Sequence, residues 1–160
     1  MSKIKDLLLS DDTVLVFDVD GVLAKLEFGE YNHFETDDVW YTGIDNDINF
    51  YTENKVIKKM QDFIKRKNID NIYVITVSKN EKEANIKKEY LINNYNILKE
   101  NIYFCLKNIN KKDKLKLIKE KYKNLEDYKI VMIDDTVEIL NDIMDNTNFS
   151  TVHISSFLDI

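Results

Sequence analysis

Proline is absent from the 160 residues, cysteine occurs once and histidine twice. A single cysteine excludes an internal disulfide, and Cys105 lies in the apolar run IYFCL, which predicts a reduced, buried thiol. His33 and His153 have no partner at a spacing that suits a metal site or a catalytic triad, so structural or exposed positions are expected for both. Long apolar runs are missing too. Leu7, Leu8 and Leu9 form a stretch too short for a signal core or a membrane span, and the expectation is a cytoplasmic protein without a membrane partner. Positive charge is outweighed, with 23 Lys and Arg against 29 Asp and Glu and a net charge of −6. That balance argues against non-specific binding to nucleic acid or to anionic membranes. The missing proline, beside abundant Asn, Lys and Ile, reads as nucleotide composition and carries no functional meaning. Nothing in the sequence assigns an oligomeric state.

What the chain does contain is an alternation of apolar strands and amphipathic helices. Its length suits one domain that buries about 70% of its unfolded surface. TVLVFDV (13–19) is nearly continuously apolar and β-branched, the pattern of a strand covered on both faces. Val56, Ile57, Met60, Phe63 and Ile64 give residues 54–66 one helical face. NIYVITV (71–77) is a second buried strand, followed by a helix from about Asn80 to Tyr95 with Asn80 and Glu83 spaced as a capping box. A third strand is expected at 102–106. The helix after it begins near Lys111, with apolar positions at Leu115, Ile118, Tyr122 and Leu125. KIVMI (129–133), a short helix over Val137, Leu140 and Met144, and FSTVHIS (149–155) complete the series. This order predicts an α/β fold, a three-layer Rossmann-like parallel sheet, with ligands bound outside the carboxyl ends of the strands.

Carboxylates fall where that rule puts ligands. Asp18 and Asp20 end the first strand, Thr76 closes the second, and Asp134 with Asp135 closes the fourth. Two like charges about 4 Å apart repel by roughly 4 kcal/mol at an effective dielectric near 20, so the cluster calls for a counter-ion. All-oxygen ligands favour a hard divalent cation, with Mg²⁺ the usual case beside a phosphate.

These residues resemble the haloacid dehalogenase superfamily of aspartate-nucleophile phosphohydrolases. The first motif of that family, D-x-D-G after a strand, matches Asp18 to Gly21; the second, a strand ending in Thr or Ser, matches YVIT with Thr76, and Ser78 is the other candidate. NKKDKLKLI supplies the family's lysine as Lys111 or its neighbour Lys112, and MIDD supplies the acidic pair as Asp134 and Asp135. The resemblance spans 1–160 as one hydrolase domain. It implies Asp18 as nucleophile and Asp20 as general acid and base. It also implies Mg²⁺ held by Asp18, the Asp20 carbonyl and Asp135, with Asp134 acting through water, and phosphoryl oxygens bound by Thr76 and Lys111. An acid at position 20 is similar to the phosphatases and phosphomutases rather than to the ion pumps.

Plainer readings compete at each position. VDGV reads as a two-residue hairpin turn, Asp135 with Glu138 as a helix cap, Thr76 as a strand residue and Lys111 and Lys112 as surface charges. If Asn110 caps the helix, those lysines stand in its first turn, where the dipole disfavours cations and a bound phosphate gives them a purpose. At the level of function the alternatives are a phosphomutase or other phosphotransferase, a receiver-like protein, and a non-catalytic phosphate or metal binder. A receiver domain carries its acidic pair on the first strand, whereas here the pair follows the fourth.

Residues 24–52 are rich in aromatic and acidic residues with little helical periodicity, and by resemblance they form a flap or small cap inserted within the domain. Tyr31, Trp40 and Tyr41 are placed either to stack on a base or to pack the flap. The segment after Thr76 is similar to that of the deoxyribonucleotidase-like branch, with Lys87 or Lys88 followed by Tyr90 and Leu91. The expected partner is therefore a small phosphorylated substrate, with a (deoxy)nucleoside monophosphate leading and long nucleic acids excluded by the acidic flap.

Overall fold

Val14–Phe17 are buried along their whole length and form β1, the central strand. The other apolar runs follow suit as β2 (Ile72–Val77), β3 (Ile102–Cys105), β4 (Ile130–Asp134) and β5 (Ser150–His153). In the computed structural model, which describes residues 3–33 and 35–160, these pair in parallel in the order β3-β2-β1-β4-β5. Phe17 sits in register with Val74 on one side and Ile133 on the other, so β1, β2 and β4 end close together.

Alternation along β1 divides the interior in two, because successive strand side chains point to opposite faces. Leu15 and Phe17 join Val74, Ile133, Phe63 and Leu91 in one core; Val14 and Val16 join Ile75, Met132, Leu115 and Ile143 in the other. The first face is covered by α3 (Lys58–Ile64) and α4 (Glu81–Tyr95), the second by α5 (Lys111–Lys121) and α6 (Val137–Asn146). Helix, sheet and helix make the three layers of the expected α/β architecture. None of the helices among the described residues is long and apolar enough to cross a membrane.

Several local expectations change. The helix read over 54–66 is a 3₁₀ turn at Glu53–Lys55 followed by the short α3. α6 buries Ile139, Leu140 and Ile143 while Val137 and Met144 are exposed, so its apolar face lies one position round from the one the spacing suggested. Asn110 makes no side-chain cap bond to α5, and α6 is preceded by Thr136 rather than capped by Asp135. Lys3–Leu9 form a helix, α1, that periodicity did not mark. A further helix, α2 (Asp37–Asp45), lies within 24–52, capped by Thr36 Oγ1 accepting from Val39 N. Its buried side consists only of Trp40, Gly43 and Ile44, too few contacts for a clear helical period.

Candidate active site

Beyond Phe17 the β1–β4 ladder continues by one bond, Asp18 N donating to Ile133 O at 3.0 Å. That bond carries Asp18 to the end of β4, beside Asp134. Both are buried, Asp134 completely, and Lys111 reaches between them from the first turn of α5, with Nζ 2.9 Å from Asp18 Oδ1 and 2.7 Å from Asp134 Oδ2. Burial works against the charge of Lys111, but Asp18 and Asp134 outweigh it and raise its pKa. Burial also dominates at Asp18, whose carboxyl is pushed up to about 6 against the pull of Lys111, with Asp134 and Asp20 adding repulsion. Asp135 is raised as well, first by burial and then by Asp134.

Asp18, Asp134 and Asp135 each present an oxygen within 4.8 Å of the others. Asp134 is fixed from its second oxygen by Thr136 N at 3.0 Å, and Asp135 accepts from Thr136 Oγ1 at 3.1 Å. His153 Nε2 lies 3.1 Å from the Asp135 carbonyl, a role that its spacing in the sequence did not suggest. Gly21 lets Asp135 come this close: its φ is +78°, and a Cβ there would lie 2.1 Å from Asp135 Oδ2. The competing hairpin reading gives way to a turn between β1 and a chain that leaves the sheet, and the Asp-Gly pair makes room for a carboxylate. Two buried carboxylates and a half-buried third, with Lys111 as the one cation between them, are a donor set short of positive charge, and hard oxygen ligands fit Mg²⁺.

Thr76 lines the same cavity as Asp18, Lys111 and Asp135, at the end of β2. Ser78 is buried apart from that cavity, and its Oγ has no partner among the described residues. Lys112 points elsewhere, to Asp142 at 2.9 Å.

Asp20 stands apart from the trio. Its Oδ1 accepts from Tyr51 OH at 2.5 Å and its Oδ2 from Lys87 Nζ at 2.8 Å. Lys87 is almost fully buried and also donates to Val77 O at 2.7 Å, with Glu83, one helical turn earlier, 3.3 Å away. Glu83 in turn accepts from Lys79 N, while Asn80 caps α4 through Glu83 N. Burial and then Asp20 drive the Tyr51 hydroxyl well above its ordinary pKa, so it remains a donor. Lys87 was one of two lysines offered by the nucleotidase-like segment, and Lys88 is not buried like it. Tyr51 carried no signal of its own, because one tyrosine among the many aromatics of 24–52 looks like any packing residue.

The aromatic residues of 24–52 divide by position. Trp40 stacks on Phe50 with ring centroids 4.3 Å apart, Tyr31 is 90% exposed, and Tyr41 stands at a cavity wall under Lys79 Nζ at 4.4 Å.

No family model matches the chain, and no curated protein matches it. Among solved structures it is similar to the HAD domain of the effector protein Lem4 from Legionella pneumophila, at 12% identity over 92% of each chain and a TM-score of 0.47.

Proposed function

We propose that the chain is a Mg²⁺-dependent phosphohydrolase that uses Asp18 as nucleophile on a small phosphate monoester. The observation that carries this reading is the meeting of Asp18, Thr76, Lys111 and Asp135 in one cavity at the carboxyl edge of the sheet. Asp18, Asp134 and Asp135 would hold the ion, joined by the Asp20 main-chain carbonyl that the motif implies. When bound, Mg²⁺ supplies charge neutralisation and orientation of the phosphoryl group.

The chain's own groups account for the rest. Asp18 Oδ bonds to phosphorus as the ester oxygen leaves, and Asp20 gives that oxygen a proton. Water then attacks the aspartyl phosphate, Asp20 takes its proton, and the bond from phosphorus to Asp18 breaks to release phosphate. Lys111 and Thr76 stabilise the charge that spreads over the equatorial oxygens. Lys111 is held for this by two carboxylates before any substrate arrives.

Phosphate release from p-nitrophenyl phosphate and from nucleoside monophosphates, with and without Mg²⁺, tests the reading. Metal-dependent turnover that disappears in Asp18→Asn is expected. Turnover that survives the substitution, or its absence with every phosphate ester and no acyl phosphate trapped at position 18, overturns it.

A further inference from the structure

A second cavity adjoins the carboxylate site. Its walls are Phe28, Trp40, Tyr41 and Tyr51, and it shares Asp20, Leu26 and Val77 with the cavity that holds Asp18 and Lys111. Neither Asp18 nor Thr76 nor Asp135 lines it. Asp20 therefore stands at the doorway between a phosphate chamber and an aromatic chamber.

The division has a chemical meaning that rests on the hydrolase reading above. In-line displacement puts the leaving oxygen on the side of phosphorus away from Asp18 and within reach of Asp20, so whatever that oxygen is attached to extends past Asp20, away from the nucleophile. That far side is the aromatic chamber. It offers about 180 Å³, close to the roughly 150 Å³ of an apolar protein cavity known to bind benzene. Rings favour edge and offset contacts with other rings, and Phe28, Trp40 and Tyr51 already surround the space in edge-on pairs. The buried charges Lys87 and Glu83 are spent on each other and on Asp20, and the exposed Asp37, which also lines the space, pairs with Lys79 at 3.4 Å; the remaining walls are apolar. A nucleoside would have to place its sugar here and its base outside.

We propose that this chamber is the leaving-group subsite and that it takes a single aromatic ring attached directly to the ester oxygen, making aryl phosphates the preferred substrate class.

Trp40 is the chain's one tryptophan and stands in the wall, so binding can be read without turnover. Benzylphosphonate, with a methylene in place of the ester oxygen, is titrated into the Mg²⁺-loaded chain while Trp40 emission is followed; methylphosphonate and uridine 5′-monophosphate are then measured by displacement. The expected result is binding of benzylphosphonate at least tenfold tighter than either competitor, with the ratio to methylphosphonate falling several-fold in Tyr41→Ala. Equal affinities, tighter binding of the nucleotide, or a ring preference that survives Tyr41→Ala overturns the proposal. Acetyl phosphate hydrolysis, which needs no ring, is measured alongside. If it occurs without a ring preference, the subsite is wrong and the hydrolase reading stands; if benzylphosphonate binds as expected but no phosphate ester or acyl phosphate is turned over, the reverse holds.

Discussion

Lys87 Nζ lies 2.8 Å from Asp20 Oδ2 and 3.3 Å from Glu83 Oε1, with its side chain only 2% exposed. A buried ammonium shared by two carboxylates joins the helix after β2 to the loop after β1. Removing one member of a buried charge group typically costs about 3–5 kcal/mol, because the remaining charge keeps its desolvation penalty. Lys87→Met is expected to lose about that much in urea unfolding, and Lys87→Met with Glu83→Gln to recover part of it. A single variant as stable as the native chain would show that the cluster is not charged as described.

Tyr51 tests the same cluster from the segment before α3. Hydrogen bonds to charged groups contribute about 1.5–3 kcal/mol, and Asp20 is partly open to solvent, which favours the low end. Tyr51→Phe should therefore cost about 1.5 kcal/mol in stability. It should also lower kcat more than it raises KM for a non-aromatic substrate, since the bond orients Asp20 and does not touch the phosphate. A change confined to KM would refute that assignment.

At Gly21 a methyl group would meet Asp135 Oδ2 at 2.1 Å, on a backbone whose φ of +78° already disfavours an L side chain. Strain of roughly 1–2 kcal/mol follows from the backbone alone. The displaced carboxylate should weaken Mg²⁺ binding by tenfold or more in Gly21→Ala, measured by calorimetric titration. Unchanged affinity would remove Asp135 from the metal site.

The metal-free chain should lose stability as pH rises through the acid range. Asp18 has a folded pKa of about 6 against 3.8 for the free side chain, so the folded state holds the extra proton between those values. Its contribution is most favourable below pH 4, declines as pH climbs, and is fully lost above 6. At 1.36 kcal/mol per unit the swing is about 3 kcal/mol. Asp18→Asn should flatten that part of the profile in chemical unfolding between pH 4 and 7, and saturating Mg²⁺ should stabilise the native chain most at the upper end. An equal slope in the variant would assign the effect to other groups.

Much of this architecture was legible because buried parallel strands are written as uninterrupted apolar runs. All five strands lie within or beside the runs that marked them, and Asp18, Asp20, Thr76, Lys111, Asp134 and Asp135 all lie at the sheet edge that the topology assigned to ligands. Helix boundaries were less legible. α3 starts late because residues 53–57 form a 3₁₀ turn and an extended link, and α2 packs through only one narrow strip. Long-range polar partners were the least legible. Tyr51 and Lys87 meet Asp20 across 31 and 67 residues, a distance that no local spacing records.

The strand order has one more consequence. Asp18, Thr76 and Asp134 hang from β1, β2 and β4, the three inner strands, while β3 and β5 form the two borders of the sheet. Borders open first, and inner strands exchange their amide protons only when the whole sheet comes apart. Fraying of β3 or β5 therefore leaves the strands that carry the carboxylates paired with one another, so the acidic core of the site, with Lys111 clamped in it, persists for as long as the fold does.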